Sequence, residues 1–137
     1  MNYLLVATSI SYLIAGNITG HIPLKALWII SSLNHAKQKW IFRLDKSLAH
    51  TICVYSIITC PLTINIYTIG YWFTCLYALS VFHIFKLSYI PGLKGTLWHA
   101  SLHIVTSTGM VLYYYADPQR VHWPTFLKFL LAFYIAL

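Results

Sequence analysis

Long apolar runs follow one another along nearly the whole of this chain, with few polar residues between them. Of the 137 residues, 59% are hydrophobic and only 8% are charged, whereas about a quarter of the residues of a typical soluble domain carry charge. Five breaks divide the runs: "GNITGHIPLK" (16–25), "AKQKWIFRLDK" (36–46), "TCPLTIN" (59–65), "YIPGLKG" (89–95) and "ADPQRVHWP" (116–124). Pro and Gly punctuate them, as expected between helices. Six segments result, at about 2–16, 22–36, 45–60, 66–88, 96–115 and 124–137. A helix that crosses a bilayer takes roughly 20 mostly apolar residues, with a lower bound near 17. The pattern predicts an all-α fold, a polytopic transmembrane helical bundle of about six spans, with residues 1–137 forming a single transmembrane helical domain. The expected location is an integral, multi-pass position in a membrane.

Charge then orients the expected bundle. The net charge is +7, from nine Lys and Arg against Asp45 and Asp117. Lys37, Lys39, Arg43, Lys46, Lys86 and Lys94 fall at the 36–46 and 89–95 breaks, whereas the opposite side holds Lys25 and Arg120. The positive-inside rule places the first set, and with six spans both termini, in the cytoplasm. The basic residues are read as partners of a lipid bilayer and not of nucleic acid. The N-terminal run has no basic stretch before it and reads as a retained first span. Trp28, Trp40, Trp98, Trp123, Tyr89 and Tyr113–Tyr115 gather near span ends, as in an aromatic belt. Cys53, Cys60 and Cys75 show no metal or disulfide spacing and read as small packing residues.

Within these apolar runs, ionisable residues are costly and mark functional positions. In "GTLWHASLHIV" (95–105), His99 and His103 are four apart. They share one helix face and can offer two nitrogens to one metal ion; the alternative is a pair of hydrogen-bonded core histidines. Ser31 and His35 have the same spacing at the end of the second run. Asp45 opens the third, where it can also act as a helix cap. The charge-derived topology puts His35, Asp45, His99 and His103 at similar depth on the cytoplasmic side. Three histidines and a water make a tetrahedral catalytic zinc site. Asp45 is then the carboxylate available to take a proton from that water, with Ser31 as a donor to the substrate oxygen. His50 and His83 read as bundle histidines, with a fourth ligand or a proton shuttle as the alternative. His21 and His122 fall on the far side.

The set "SSLNH" (Ser31 to His35), "RLDKSLAH" (Asp45) and "WHASLH" (His99, His103) resembles the CREST superfamily of membrane proteins. That group contains alkaline ceramidases, progestin/adipoQ receptors, hemolysin III proteins and myomaker-type proteins. The resemblance covers residues 28–108 and rests on about five positions. It implies Zn2+ on His35, His99 and His103, with Asp45 acting through water and Ser31 beside it. It also implies hydrolysis of an amide or ester bond in a membrane lipid substrate. The family has seven spans with His-x3-His in the last, so this chain looks like a reduced form.

Other readings stay open at this level. The same residues suit a receptor-like or fusion-related protein that keeps zinc for structure. A bis-histidine haem protein needs its histidines to face one another across helices, whereas His99 and His103 share a face. A pore needs a continuous polar stripe, which no segment carries, and a desaturase needs several histidine boxes.

Overall fold

The computed structural model describes residues 2–36, 41–118 and 121–137. All the regular structure is helical. α1 (Tyr3–Thr8) and α2 (Ile10–Thr19) are one segment interrupted at Ser9. The Ser9 N–H still reaches the Leu5 carbonyl at 3.1 Å. Its hydroxyl turns inward to the Val6 carbonyl at 2.6 Å and to Ser32 Oγ at 2.8 Å. α3 (Ile22–His35) opens with Pro23 in its first turn, where the missing N–H costs nothing. α4 (Phe42–Thr59) carries Asp45 in its first turn, at the positive end of the helix dipole. α5 (Ile66–Leu79) starts at a capping box formed by Asn65 and Thr68. It loosens into a π-helical turn at Ser80–Ile84 and a 3-10 turn at Leu87–Tyr89. α6 (Leu93–Ala116) and α7 (Trp123–Ala136) complete the chain.

In space the helices form a curled row. α5 packs on α6, α6 on α1–α2, α1–α2 on α3, α3 on α4, and α4 on α7. The buried side chains Tyr12, Leu24, Leu27, Leu48, Ile52, Tyr55, Tyr71, Met110, Tyr113 and Phe126 fill the middle. Tyrosine hydroxyls close the row at one end. Ser56 meets the Tyr71 hydroxyl at 2.6 Å, Thr59 meets that of Tyr113 at 2.5 Å, and Tyr55 accepts from the His122 N–H at 2.8 Å. Each links α4 to a different part of the bundle. The opposite end collects the C-terminus of α3 and the N-termini of α1, α4 and α6.

Six helical segments match the six expected from the apolar runs, but no described helix is long and apolar enough to cross a membrane. The transmembrane architecture, the multi-pass membrane location and the cytoplasmic placement of the termini are corrected accordingly. The reason lies in length and polarity. α3, α5 and α7 have 14 residues each, or about 21 Å of helix, against a hydrocarbon core of about 30 Å. The run at 66–88 is not one rod: regular helix ends at Leu79, and Lys86 takes the left-handed conformation (φ 50°). α4 has 18 residues but carries Arg43, Asp45 and Lys46. α6 is long enough at 24 residues, yet His99, Ser101, His103, Thr106, Ser107 and Thr108 dilute its hydropathy. The aromatic belt falls with the spans, because Tyr113 is a buried core residue bonded to Thr59. Lys37, Lys39, Trp40 and Arg120 lie outside the described residues.

Glycine sets the closest helix approach. A Cβ on Gly109 of α6 would lie 2.3 Å from Thr74 Oγ1 and 3.0 Å from Thr74 Cβ on α5. Gly70 of α5 faces Leu112 Cδ1 in the same seam, at 2.9 Å from its would-be Cβ, which fits the close packing its position suggests. The three cysteines are free, and burial pushes the Cys53 thiol up to about 12, consistent with packing roles. Gly109→Ala is expected to lower stability by about 1–3 kcal/mol, the usual cost of overpacking. Adding Thr74→Ala should recover part of that loss, as read from thermal or denaturant unfolding of the single and double variants.

Candidate metal centre

At the open end of the bundle, α3 delivers His35 from its last turn, and α6 delivers His99 and His103 from its second and third turns. One ligand nitrogen from each ring lies within 4.8 Å of the other two. The ring centroids are 4.9 Å apart for His35–His99, 5.2 Å for His35–His103 and 4.9 Å for His99–His103. Imidazoles sharing one tetrahedral zinc at about 2.0–2.1 Å from nitrogen would have centroids about 5 Å apart. The ring spacing is compatible with a shared ion. The expected ligands His35, His99 and His103 form a three-histidine cluster able to hold a metal ion.

The hydrogen bonds around the cluster favour that reading. Thr8 Oγ1 lies 2.9 Å from the Leu4 carbonyl, 3.4 Å from that of Leu5 and 3.0 Å from Nδ1 of His103. With the hydroxyl proton on a carbonyl, Nδ1–H of His103 donates to Thr8, the tautomer that leaves Nε2 with a bare lone pair. Nε2 of His35 is buried with no hydrogen-bond partner. An orphaned buried nitrogen facing two further imidazoles is a cost unless something binds there. Burial also keeps the rings neutral. It lowers His35 to about 4, with His99 adding a smaller push, and lowers His103 to about 2, again with help from His99 and His35. His99 is shifted down by burial as well. Neutral imidazole is the form a metal ion needs.

The rest of the setting comes from α1–α2. The Asn2 N–H donates to the His35 carbonyl at 3.0 Å, and its side chain reaches Thr96 Oγ1 at 3.4 Å, so one residue ties α3 to α6. Ser11 donates to the His103 carbonyl at 2.9 Å and meets Ser107 Oγ at 2.8 Å. The Tyr12 ring packs on that of His103, with centroids 5.3 Å apart. Asn2, Thr8, Ser11 and Tyr12 were not among the residues the sequence marked out. The one available signal was the polar cluster "ATSISY" inside the first apolar run.

Asp45, in the first turn of α4, is not one of the grouped ligand atoms. Its Oδ2 accepts from Asn34 Nδ2 at 2.7 Å. Burial raises the carboxyl to about 6, against the smaller, opposing effects of Asn34 and the Ser31 hydroxyl. Ser31 is itself buried, one helical turn before His35. Asn34, next to His35, is a further residue that sequence reasoning missed. His50 and His83 stand outside the cluster and pair with each other, with centroids 5.5 Å apart. His21 and His122 precede α3 and α7 at the opposite end, as expected. No protein-family model matches this chain, and neither the curated proteins nor the solved structures contain a significant match to it.

Two outcomes are expected. Thr8→Val, which removes the acceptor for His103, should weaken metal binding about 10–100-fold without unfolding the protein. In metal-free protein, carbon-detected NMR should show Asp45 titrating near 6, and adding zinc should move it down, since a nearby dication favours the carboxylate.

Proposed function

We propose that this protein is a zinc-dependent hydrolase acting on an amide or ester bond of a lipid. The observation that carries the proposal is the open coordination of the cluster. Three histidines converge, and no fourth His, Cys, Asp or Glu joins them among the described residues. Structural zinc sites are closed by four protein ligands, whereas catalytic sites keep a position for water or substrate. A zinc ion there would supply Lewis acidity, polarising a carbonyl and making water acidic near neutral pH.

The chain's own groups match the remaining tasks. Asp45, raised to about 6, sits close to the operating pH and suits a general base that takes a proton and later returns it to the leaving group. Asn34 orients that carboxyl. Ser31 can also turn its proton toward an oxyanion. Thr8 meets Nδ1 of His103, which suits binding through Nε2. On the inner side, Tyr12 separates His103 from an apolar cavity of about 100 Å³ lined by Leu24, Leu27, Ile52, Tyr71 and Met110. A hydrocarbon segment next to the scissile bond suits that cavity, which supports a lipid as the substrate class. The likeness of Ser31, His35, Asp45, His99 and His103 to the CREST pattern supports the same chemistry.

Metal analysis should find about one tightly held zinc per chain, lost in His99→Ala and in His103→Ala. Hydrolysis of fluorogenic acyl amides and esters in mixed micelles should follow the zinc. Full activity in zinc-free protein would sink the proposal.

Asp45→Asn separates catalysis from stability. A carboxyl raised in the fold favours its protonated form there, so ionised Asp45 is a burden on the fold. That burden is absent below its ordinary value of 3.8, grows between about 4 and 6, and is complete above 6. The variant's side-chain carbonyl can still accept the hydrogen bond from the Asn34 amide. It should abolish hydrolysis, retain zinc, and stabilise the metal-free protein by about 1–2 kcal/mol at pH 8 but not at pH 4. Loss of zinc in Asp45→Asn would instead make Asp45 a ligand or a structural residue.

A further inference from the structure

We infer that His50 and His83 form a second metal site, a two-histidine site for a divalent first-row transition ion, separate from the three-histidine cluster. His50 lies in α4, and His83 is in the π-helical turn that ends α5. Their ring centroids are 5.5 Å apart with the planes at 79°. Two imidazoles at about 2.0–2.1 Å from one ion place their centroids about 5 Å apart at a tetrahedral angle and about 5.5 Å apart at a wider one. The spacing is close to that inside the three-histidine cluster.

The tautomer of His50 is settled by its own helix. Its Nδ1 lies 2.7 Å from the Lys46 carbonyl, one turn earlier. A carbonyl only accepts, so Nδ1 carries the proton and Nε2 is left with the lone pair. A ring nitrogen tied to a backbone carbonyl is the usual outer support of a histidine ligand. Phe82 and Phe133 pack on the His50 ring, with centroids at 5.6 and 5.7 Å. They hold it in place and keep it partly buried. Burial moves His50 toward its neutral form, with smaller contributions from His83 and Lys46 in the same direction and an opposing one from the backbone bond.

The π-helical turn supplies the other half. Helical turns of this kind are rare and gather at functional positions. Here Phe85 donates to the Ser80 carbonyl at 2.9 Å, which widens the turn around His83. The ring of His83 also meets Phe82, at 4.8 Å. His83 is exposed, so an ion on the pair would keep positions open to water. Two imidazoles with open positions suit zinc, copper(II) or nickel(II), and not the hard oxygen-seeking cations. Such a site would bind more weakly than three converging histidines and exchange its ion more readily.

The test is zinc titration of the purified protein by calorimetry, with bound metal checked after dialysis against zinc alone. The wild type should take up two equivalents, the second at least about tenfold weaker than the first. His83→Gln, at an exposed position, should remove the weaker equivalent and leave the tight one. His50→Phe, which keeps a ring between Phe82 and Phe133, should do the same. His99→Ala should have the opposite effect, losing the tight equivalent and retaining the weak one. Circular dichroism on each variant confirms that the helices persist. A single equivalent in the wild type that His99→Ala abolishes would overturn the inference and leave the three-histidine cluster standing. A second equivalent that survives both His83→Gln and His50→Phe would overturn it too. A single equivalent lost in His83→Gln and kept in His99→Ala would uphold this site and remove the other.

Discussion

The bond between Thr8 and His103 is where fold and chemistry meet. Thr8 ends the first helical turn-run and His103 sits on the longest helix, so the contact spans 95 residues of chain. It is reinforced on the same seam by Ser11, which holds the His103 carbonyl and Ser107, and by the ring of Tyr12. On its other face the same segment reaches α3 through Asn2 and Ser9. α1–α2 therefore acts as a spacer between the helix bearing His35 and the helix bearing His99 and His103. Remove it, and nothing fixes the distance between the two halves of the cluster.

Burial sets the protonation states at this end of the molecule. Taken out of water, the three rings resist protonation, and the nitrogen of His35 is left without a partner. The same burial raises Asp45 to about 6. Both effects weaken the fold, and a dication held by the three histidines would relieve the first by taking up their lone pairs. Binding there would therefore raise stability. At the far end tyrosine hydroxyls hold the helices in order, and His21 is a single imidazole, its Nδ1 buried, with no second histidine grouped beside it among the described residues.

Polar side chains inside the bundle explain why apolar content misled the reading of its architecture. Ser9, Ser31, Ser47, Thr51, Ser56 and Thr68 are almost wholly buried. Most satisfy themselves locally: Ser47 bonds to the Arg43 carbonyl, Thr51 to that of Ser47, and Ser56 to that of Cys53. A window of sequence sees such residues as interruptions of an apolar run. In the folded chain they allow helices to lie close, as Gly70 and Gly109 do between α5 and α6. A run at 66–88 that looks continuous on hydropathy gives way after Leu79 to a π-helical turn, and Lys86 and Gly92 then turn the backbone before α6.

The sequence by itself determined the number and order of helical segments, since Pro, Gly and capping residues act locally. It also put His99 and His103 together, because a four-residue spacing places them on one face whatever surrounds the helix. What α3 and α6 do to each other was beyond it. Only the tertiary structure brought His35 to that face and made Thr8 and Asn34 supports of the site. It also paired His50 with His83 across a π-helical turn. Helix length was a tertiary outcome as well: six apolar runs became rods too short or too polar to cross a bilayer. Hydropathy sums residues along the chain, whereas where a helix ends depends on the backbone bonds and packing at each break.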